Sequence, residues 1–407
     1  MVYDVIVIGG GAAGFFAALA AKSASPQAKV AILEKTAVLL SKVRVSGGGR
    51  CNVTHACFDP TPLSKNYPRG GKELIGPFHR FQPQDTVDWF QSRGVALKTE
   101  GDGRMFPVTN SSETIIACLL AEASSLGVEI LLRQRIEGIE KGDEGFFVLH
   151  RKDQESISAK KLILATGSSK EGHAWAEKFG HTIQPPAASL FTFNVPSSPL
   201  HELSGVSFEK VKIEICHTSF SQTGPLLITH FGFSGPAALK LSAWAARYLF
   251  EKNYCVELRI QWLPGRSTQD LYGELALLKQ NFPHRTLVSE NIFGFPKNFW
   301  KLFLGVLGEK RLNDIPLKDL TMLCEKIHSD VYQVNGKTTN KEEFVTCGGV
   351  LLKEIHFKTM ESKLCPSLFF AGEILDIDGV TGGFNFQNAW TTGFIAGSSC
   401  CSRIHKT

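Results

Sequence analysis

The spacing Gly9-x-Gly11-x-x-Gly14, with Glu34 twenty residues past the last glycine, is the first pattern in this chain that implies chemistry. In such a turn the first glycine permits the tight bend. The second lets backbone approach a pyrophosphate, and the third lets a helix pack closely on a strand. The amides of Ala12 and Ala13 then open a helix whose positive end meets phosphate oxygens, and the Glu34 carboxylate can accept hydrogen bonds from ribose hydroxyls. Three glycines alone are weak evidence. Placed after a strand, at the start of a helix and ahead of an acid, they are specific for a dinucleotide.

Other residues carry chemistry of their own. Residues 46–52 read SGGGRCN, and glycines clustered this way mark backbone that approaches a ligand or turns with positive φ. Within that run Arg50 offers a fixed positive charge to a pyrophosphate or an anionic substrate. Cys51 invites a redox role, but a dithiol mechanism needs a partner at CxxC or CxxxxC spacing, and the next cysteine is Cys57. A packing or cofactor-contact role is therefore expected for Cys51. His230, beside a Gly-Phe-Ser-Gly-Pro turn, is the histidine best suited to deliver a proton. The other histidines show no metal-ligand spacing, so no metal is expected.

These groups need particular elements to position them. Residues 3–8 form a short β-branched run that predicts a buried parallel strand, 12–22 an Ala-rich helix, and 29–33 a second buried strand. Helices are expected over 85–93 and 112–125, further strands over 128–132 and 162–164, and a hairpin around 145–150. The character changes near Pro185-Pro186. Val211, Ile213 and Ile215 alternate with Lys212 and Glu214, and Val256, Leu258 and Ile260 repeat the pattern, which predicts half-exposed antiparallel strands. Residues 268–330 read as mainly helical, with Leu317, Leu320, Leu323 and Ile327 on one face. Buried-strand character returns at 368–371, followed by a closing helix that starts near Gly383.

That return decides between cofactors. An NAD-binding half would be complete within the opening unit, whereas here the far end of the chain is equally specialised. A short strand runs into Gly372 and Glu373, and TGGFNFQ follows, with Gly382, Gly383, Asn385, Phe386 and Gln387. Ala165, Thr166 and Gly167 end a third strand that would cross near the pyrophosphate. A long, two-ended cofactor, FAD, accounts for both ends. The adenosine half lies at the first turn and the ring at the last helix, whose positive end would stabilise charge on reduced flavin.

The expected fold is α/β: a Rossmann-type FAD-binding domain built from both chain ends, 1–188 and 341–407, with an inserted domain of β-structure plus helices, 189–340, covering the flavin-side cleft. A length of 407 residues has room for two or three domains. A net charge of +5 with no run of like charges gives no nucleic-acid footprint, and no nucleic-acid partner is expected. Ten cysteines without a CxxC pair predict reduced thiols in a cytoplasmic protein. Residues 5–21 carry no charge, but Asp4 precedes them where a secretory signal needs a base, and the stretch is short of the roughly 20 apolar residues of a membrane span.

Taken together, GxGxxG, SGGGRCN, Gly103-Arg104-Met105-Phe106-Pro107, residues 229–236 (THFGFSGP), residues 346–350 (TCGGV) and the block 371–387 resemble the BaiN-like (YhiN-like) family of FAD-dependent oxidoreductases, from residue 3 to about residue 399. The resemblance implies a Rossmann-type FAD domain with an insertion, and redox chemistry on small molecules such as conjugated steroid-like acids or amines. It implies a cofactor-binding set of Gly9, Gly11, Ala12, Ala13, Gly14, Glu34, Lys35, Lys42, Ser46, Gly47, Gly48, Arg50, Cys51, Asn52, Ala165, Thr166, Gly167, Gly372, Glu373, Gly382, Gly383, Asn385, Phe386 and Gln387. Two places depart from the family pattern: Leu40-Ser41 stands where Gly-Arg usually precedes the lysine matching Lys42, and the loop after Gly167 is short.

The expected function is hydride exchange between flavin N5 and a small organic substrate, with NAD(P)H as a transient reductant and His230 as the proton-transfer residue. A second GxGxxG for the pyridine nucleotide is missing. Other readings of the same motifs are a dioxygen-using amine oxidase, a flavin-dependent RNA-modifying enzyme and a non-catalytic redox sensor.

Overall fold

The computed structural model describes residues 2–142, 144–196, 198–338 and 345–401. The chain divides into two compact units, Met1–Ala187 with Lys341–Thr407, and Ala188–Asn340.

The first unit is organised by a parallel sheet. Strand β1 (Val2–Ile8) pairs with β2 (Val30–Leu33), and β2 pairs in turn with β3 (Glu129–Leu131). On its other side β1 pairs with β4 (Ile157–Leu164), which receives β5 (Leu368–Phe370) from the far end of the chain. All these pairings are parallel, and the order β3-β2-β1-β4-β5 is that of a doubly wound dinucleotide fold. Val5, Ile6, Val7, Val30, Ala31, Ile32, Leu162, Ile163 and Leu164 are all buried, which is why these strands read as apolar runs rather than alternating ones. The expected hairpin is present as Ile136–Lys141 paired with Phe147–Arg151.

Helix α1 (Ala12–Ala24) follows β1 directly and packs on the closing helix α3 (Phe384–Cys401). Their backbones nearly touch. A Cβ on Gly393 would lie 2.5 Å from the Ala13 carbonyl oxygen, and one on Gly397 would lie 2.0 Å from that of Ala17. The Ala-rich face of α1 and the Gly-x-x-x-Gly of α3 are therefore one feature, a close crossing that joins the two ends of the chain.

Helix α2 (Ser41–Gly49) connects to the opening turn through Leu40, whose N–H bonds the Gly10 carbonyl at 2.9 Å. Leu40 adopts φ 55 and ψ 32, a left-handed conformation, at the position where the resemblance implies glycine. Such a conformation costs a leucine about 1–2 kcal/mol. Full burial of the side chain offsets this by a similar amount, about 1.5–3 kcal/mol.

The second unit is built on an antiparallel sheet in the order 330–335, 255–261, 207–215, 221–228, 232–234, 192–194, 337–338. Val211, Ile213 and Ile215 all point into the core, as their alternation predicts. Helices occupy Thr268–Asn281, Lys297–Leu304 and Leu317–His328. One expectation fails there. Leu320, Leu323 and Ile327 are buried, but Leu317 is 57% exposed because it opens its helix, ahead of the packed face.

Candidate dinucleotide site

The opening turn separates the duties of its glycines. A Cβ on Gly9 would lie 2.3 Å from the Ala165 carbonyl oxygen, and one on Gly14 would lie 1.9 Å from that of Gly9. A Cβ on Gly11 would meet nothing within 4 Å. Gly9 and Gly14 are thus required by the protein's own packing, whereas Gly11 borders open space, as a cradle for a pyrophosphate needs. Phe15 is the first residue of α1 to bond back, to Gly11 at 3.0 Å, so the amides of Ala12, Ala13 and Gly14 have no partner within the helix.

Glu34 is preset by three donors. Its Oε2 accepts the Gly10 N–H at 2.9 Å, and its Oε1 accepts the Thr36 N–H and hydroxyl at 2.8 Å each. A carboxylate has about four acceptor positions, so capacity for a ribose hydroxyl remains. Lys35 instead turns to Glu171, 3.3 Å away, in an ion pair more than half exposed on both sides. Lys42 reaches Glu373 at 2.6 Å.

Helical geometry in α2 ends where the SGGGRCN run begins: Ser46 turns to ψ 146, and Gly47, Gly48 and Gly49 follow with φ of 59, 67 and 83. Gly47 packs so closely that a Cβ would lie 2.9 Å from the Phe106 ring. Asn52, with its amide oriented to suit both neighbours, donates to the Thr54 carbonyl at 3.1 Å and accepts the Gly383 N–H at 2.9 Å. The run is thereby joined to the start of α3. The Arg50 charge, expected to face an anion, is engaged by Glu100 at 2.6 Å, and its guanidinium lies 4.0 Å from the centre of the Phe106 ring. Arg104, from the GRMFP motif, shares Glu100 at 3.2 Å.

Cys51 is buried with φ 60, and burial pushes its thiol up to about 12, against the opposing effect of a hydrogen bond with Ser46. A thiol this far from ionisation is a poor nucleophile. Cys51→Ser is therefore expected to keep bound flavin and most of the turnover, checked by flavin absorbance per protein and by rate. Complete loss of turnover with flavin retained would contradict the packing role.

The closing helix presents a second set of amides. Gln387 is the first residue of α3 to bond back, to Gly383 at 3.0 Å, which leaves those of Phe384, Asn385 and Phe386 without a partner in the helix. Several contacts fix this end. Asn385 accepts the Gly379 N–H at 2.8 Å and donates to the Gly379 carbonyl at 2.9 Å. Tyr67 donates its hydroxyl to the Phe384 carbonyl at 2.6 Å. Gln387, expected to touch cofactor, is fully buried: its Oε1 accepts from Thr54 and Thr86 at 2.6 and 2.9 Å, and its Nε2 donates to Thr391 at 3.1 Å. Its side chain braces the helix. Phe386 stacks on Trp390. Gly372 donates its N–H to Thr392 at 2.9 Å, and a Cβ there would lie 2.8 Å from that of Ala13. Beyond Ala165, whose N–H bonds the Ile8 carbonyl at 2.9 Å, Gly167 turns with φ 60, and a Cβ there would lie 3.9 Å from Glu373.

The residues fit FAD on grounds internal to the chain. Gly372 packs against Ala13 at the start of α1 and donates to Thr392 of α3, and open space borders Gly11. The buried Thr166 hydroxyl and both amide atoms of Asn388, one turn before Thr392 on α3, meet no protein partner among the described residues. Buried polar groups of this kind normally find water or a ligand.

Of the sequence-expected residues, those from Gly9 to Asn52, 165–167 and 372–387 all belong to the first unit. His230 does not: it lies in the second, in an exposed turn between strands Ser221–Ile228 and Gly232–Ser234. Sequence reasoning passed over Arg69, whose guanidinium forms a two-pronged pair with the buried Asp378, and Thr54 and Thr86 of the Gln387 network. It also passed over His55, which stacks on Phe384 with ring centres 4.7 Å apart. None of these carries a spacing signal, since each pairs with residues hundreds of positions away.

Fold and site together define a flavin-dependent oxidoreductase of Rossmann type. The chain belongs to the family described as HI0933-like protein Rossmann domain, whose model matches residues 3–399, in agreement with the motif resemblance. It is 28% identical over 414 residues to a 3-dehydro-bile acid delta(4,6)-reductase of Clostridium scindens, covering 98% of each chain. It is 30% identical over 403 residues to a ribosomal RNA dihydrouridine synthase of Haemophilus influenzae, covering 96% of each. Among solved structures, a 3-ketosteroid delta1-dehydrogenase from Sterolibacterium denitrificans shares the fold with TM-score 0.55 at 12% identity, covering 98% of this chain and 99% of that one. Among the described residues, no helix is long and apolar enough to cross a membrane.

Proposed function

We propose that this chain reduces a carbon–carbon double bond conjugated with a carbonyl group, using FAD and a transient NAD(P)H donor. When bound, the flavin supplies a two-electron hydride transfer. In the overall reaction the hydride adds to the β-carbon of the substrate, a proton adds to the α-carbon, and the nicotinamide donor is oxidised. The observation that carries the reading is the second helix N-terminus: the amides of Phe384, Asn385 and Phe386, held by Tyr67, Asn385 and Gln387, form a braced positive end. A helix end of that kind favours negative charge, which reduced flavin carries. His230 is the proposed proton donor, and its turn is braced from below, where the Thr229 hydroxyl accepts the Phe231 and Gly232 N–H groups. The set Gly9 to Gly14, Glu34, Lys42, Gly167 and Gly372 to Gly383 is proposed to hold the cofactor.

Both relatives support the reaction class. The names of a delta(4,6)-reductase and a dihydrouridine synthase describe saturation of a conjugated ring double bond. The preferred substrate is a small enone. The relative at 30% identity over 96% of both chains favours a second reading, in which the enone is the uracil ring of ribosomal RNA.

The deciding experiment is anaerobic stopped flow at the flavin band. NADH or NADPH should bleach the protein, and either a steroid-like enone acid or unmodified ribosomal RNA should restore the colour. Restoration by RNA alone, with steeply salt-dependent binding, selects the second reading. Fast reoxidation by dioxygen with peroxide release selects an oxidase. A flavin that no two-electron donor bleaches would overturn the proposal.

A further inference from the structure

Lys42 and Glu373 stand 331 positions apart in sequence, yet their charged atoms are 2.6 Å apart. Each is anchored to the phosphate cradle by its own backbone. Lys42 lies two residues after Leu40, whose N–H is held by the Gly10 carbonyl at 2.9 Å. Glu373 follows Gly372, which packs against Ala13 and donates to Thr392. The Glu373 carboxylate also faces Gly167, at 3.9 Å from where a Cβ would sit. A largely buried anion, its side chain only 16% exposed, therefore follows directly on the glycine that packs against the first turn of α1.

That placement is electrostatically unfavourable unless a cation is shared. At the short distances and reduced dielectric of a partly buried site, an unpaired carboxylate would repel the phosphates strongly. Lys42 is the cation in contact, and its side chain keeps 49% exposure, so its ammonium has donors left for a second anion.

We propose that Lys42 and Glu373 form a charge-compensating strap across the phosphate side of the cofactor site, Lys42 neutralising Glu373 and the pyrophosphate together. The strap joins the opening and closing segments of the FAD domain, so it sets how tightly the cofactor is retained. Lys178 with Glu140 supplies an internal control, because that pair is 52% and 61% exposed and screened by solvent. The inference rests on FAD being the cofactor, and the experiment separates the two questions.

The apoprotein, prepared by removing flavin at acid pH and high salt, is titrated with FAD, with binding followed by quenching of flavin fluorescence. Failure of the unmodified chain to bind FAD would sink the cofactor reading itself. If it binds, Lys42→Met should weaken affinity about 30-fold or more, because Glu373 is left uncompensated. Lys42→Arg should stay within about 3-fold, as should the control Lys178→Met. Glu373→Gln should weaken affinity less than Lys42→Met does, since Lys42 still serves the pyrophosphate. The double variant Lys42→Met/Glu373→Gln should recover most of the loss of the single lysine variant. Apoprotein melting temperatures close to wild type confirm that the variants fold, and Lys42→Gln takes the place of Lys42→Met if the latter does not. Equal affinities for Lys42→Met and the double variant, or an effect of Lys42→Met no larger than that of Lys178→Met, would overturn the strap.

Discussion

Gly14→Ala is expected to destabilise the apoprotein and abolish flavin retention, whereas Gly11→Ala should leave the apoprotein almost unchanged and still lose flavin. The difference follows from what each new methyl would meet. At Gly14 it would lie 1.9 Å from the Gly9 carbonyl oxygen, a backbone atom that cannot rotate away, so helix and strand must separate. Such overpacking costs about 3 kcal/mol, the upper part of the usual range. In a unit of this size that corresponds to a melting temperature lower by about 6–12 °C. At Gly11 the methyl would meet no protein atom within 4 Å, and φ −95 suits alanine, so the apoprotein should lose at most about 1 kcal/mol from the poorer helix cap. The methyl would stand where the pyrophosphate must approach, weakening charge-assisted bonds worth about 1.5–3 kcal/mol each. A fall in FAD affinity of about 100-fold or more is expected. Calorimetry of the two apoproteins and FAD titration distinguish the outcomes. Normal FAD binding by Gly11→Ala would show that the open space beside Gly11 is not the phosphate cradle.

The same contrast explains what was legible in the sequence. Glycines required by close backbone contact appear as a fixed spacing, because no other residue can take their place. The opening turn, the apolar parallel strands and the specialised far end could therefore be read directly. The alternation at Val211, Ile213 and Ile215 was equally plain, since a sheet with one wet face imposes a period of two. Partnerships between distant positions left no such trace. Arg50 has the right charge for a phosphate, but Glu100 occupies it. Gln387 sits in a motif that suggests ligand contact, yet Thr54, Thr86 and Thr391 take up its amide. Leu40 gives no hint of a left-handed backbone, because leucine is an unusual choice there and its burial, not its local preference, sustains it. Local rules reveal what the backbone cannot avoid; they are silent where side chains have alternatives.

The consequence is clearest at Arg69, the residue whose loss should be most costly outside the glycine turn. Asp378 is fully buried at the start of the segment that leads through Gly379 to Gly383 and on into α3. Burial alone would make the Arg69 cation less favourable, but its hydrogen bonds and attraction to Asp378 more than offset that and leave its pKa raised. The backbones pair as well: Arg69 and Asp378 form an antiparallel bridge, and the Val380 N–H bonds the Asn66 carbonyl at 2.9 Å. Arg69→Met leaves the carboxylate buried without its guanidinium, a change that typically costs about 3–5 kcal/mol. The loss should fall partly on the flavin end, because Gly379 is what Asn385 grips at both its N–H and its carbonyl. We expect weaker FAD binding together with lower stability. Replacing both partners, Arg69→Met with Asp378→Asn, removes the stranded charge and should recover about 2 kcal/mol or more of the loss, measured by urea unfolding of the apoprotein. If the double variant is no more stable than Arg69→Met, the ion pair is not what fixes the segment, and the backbone bridge must hold it alone.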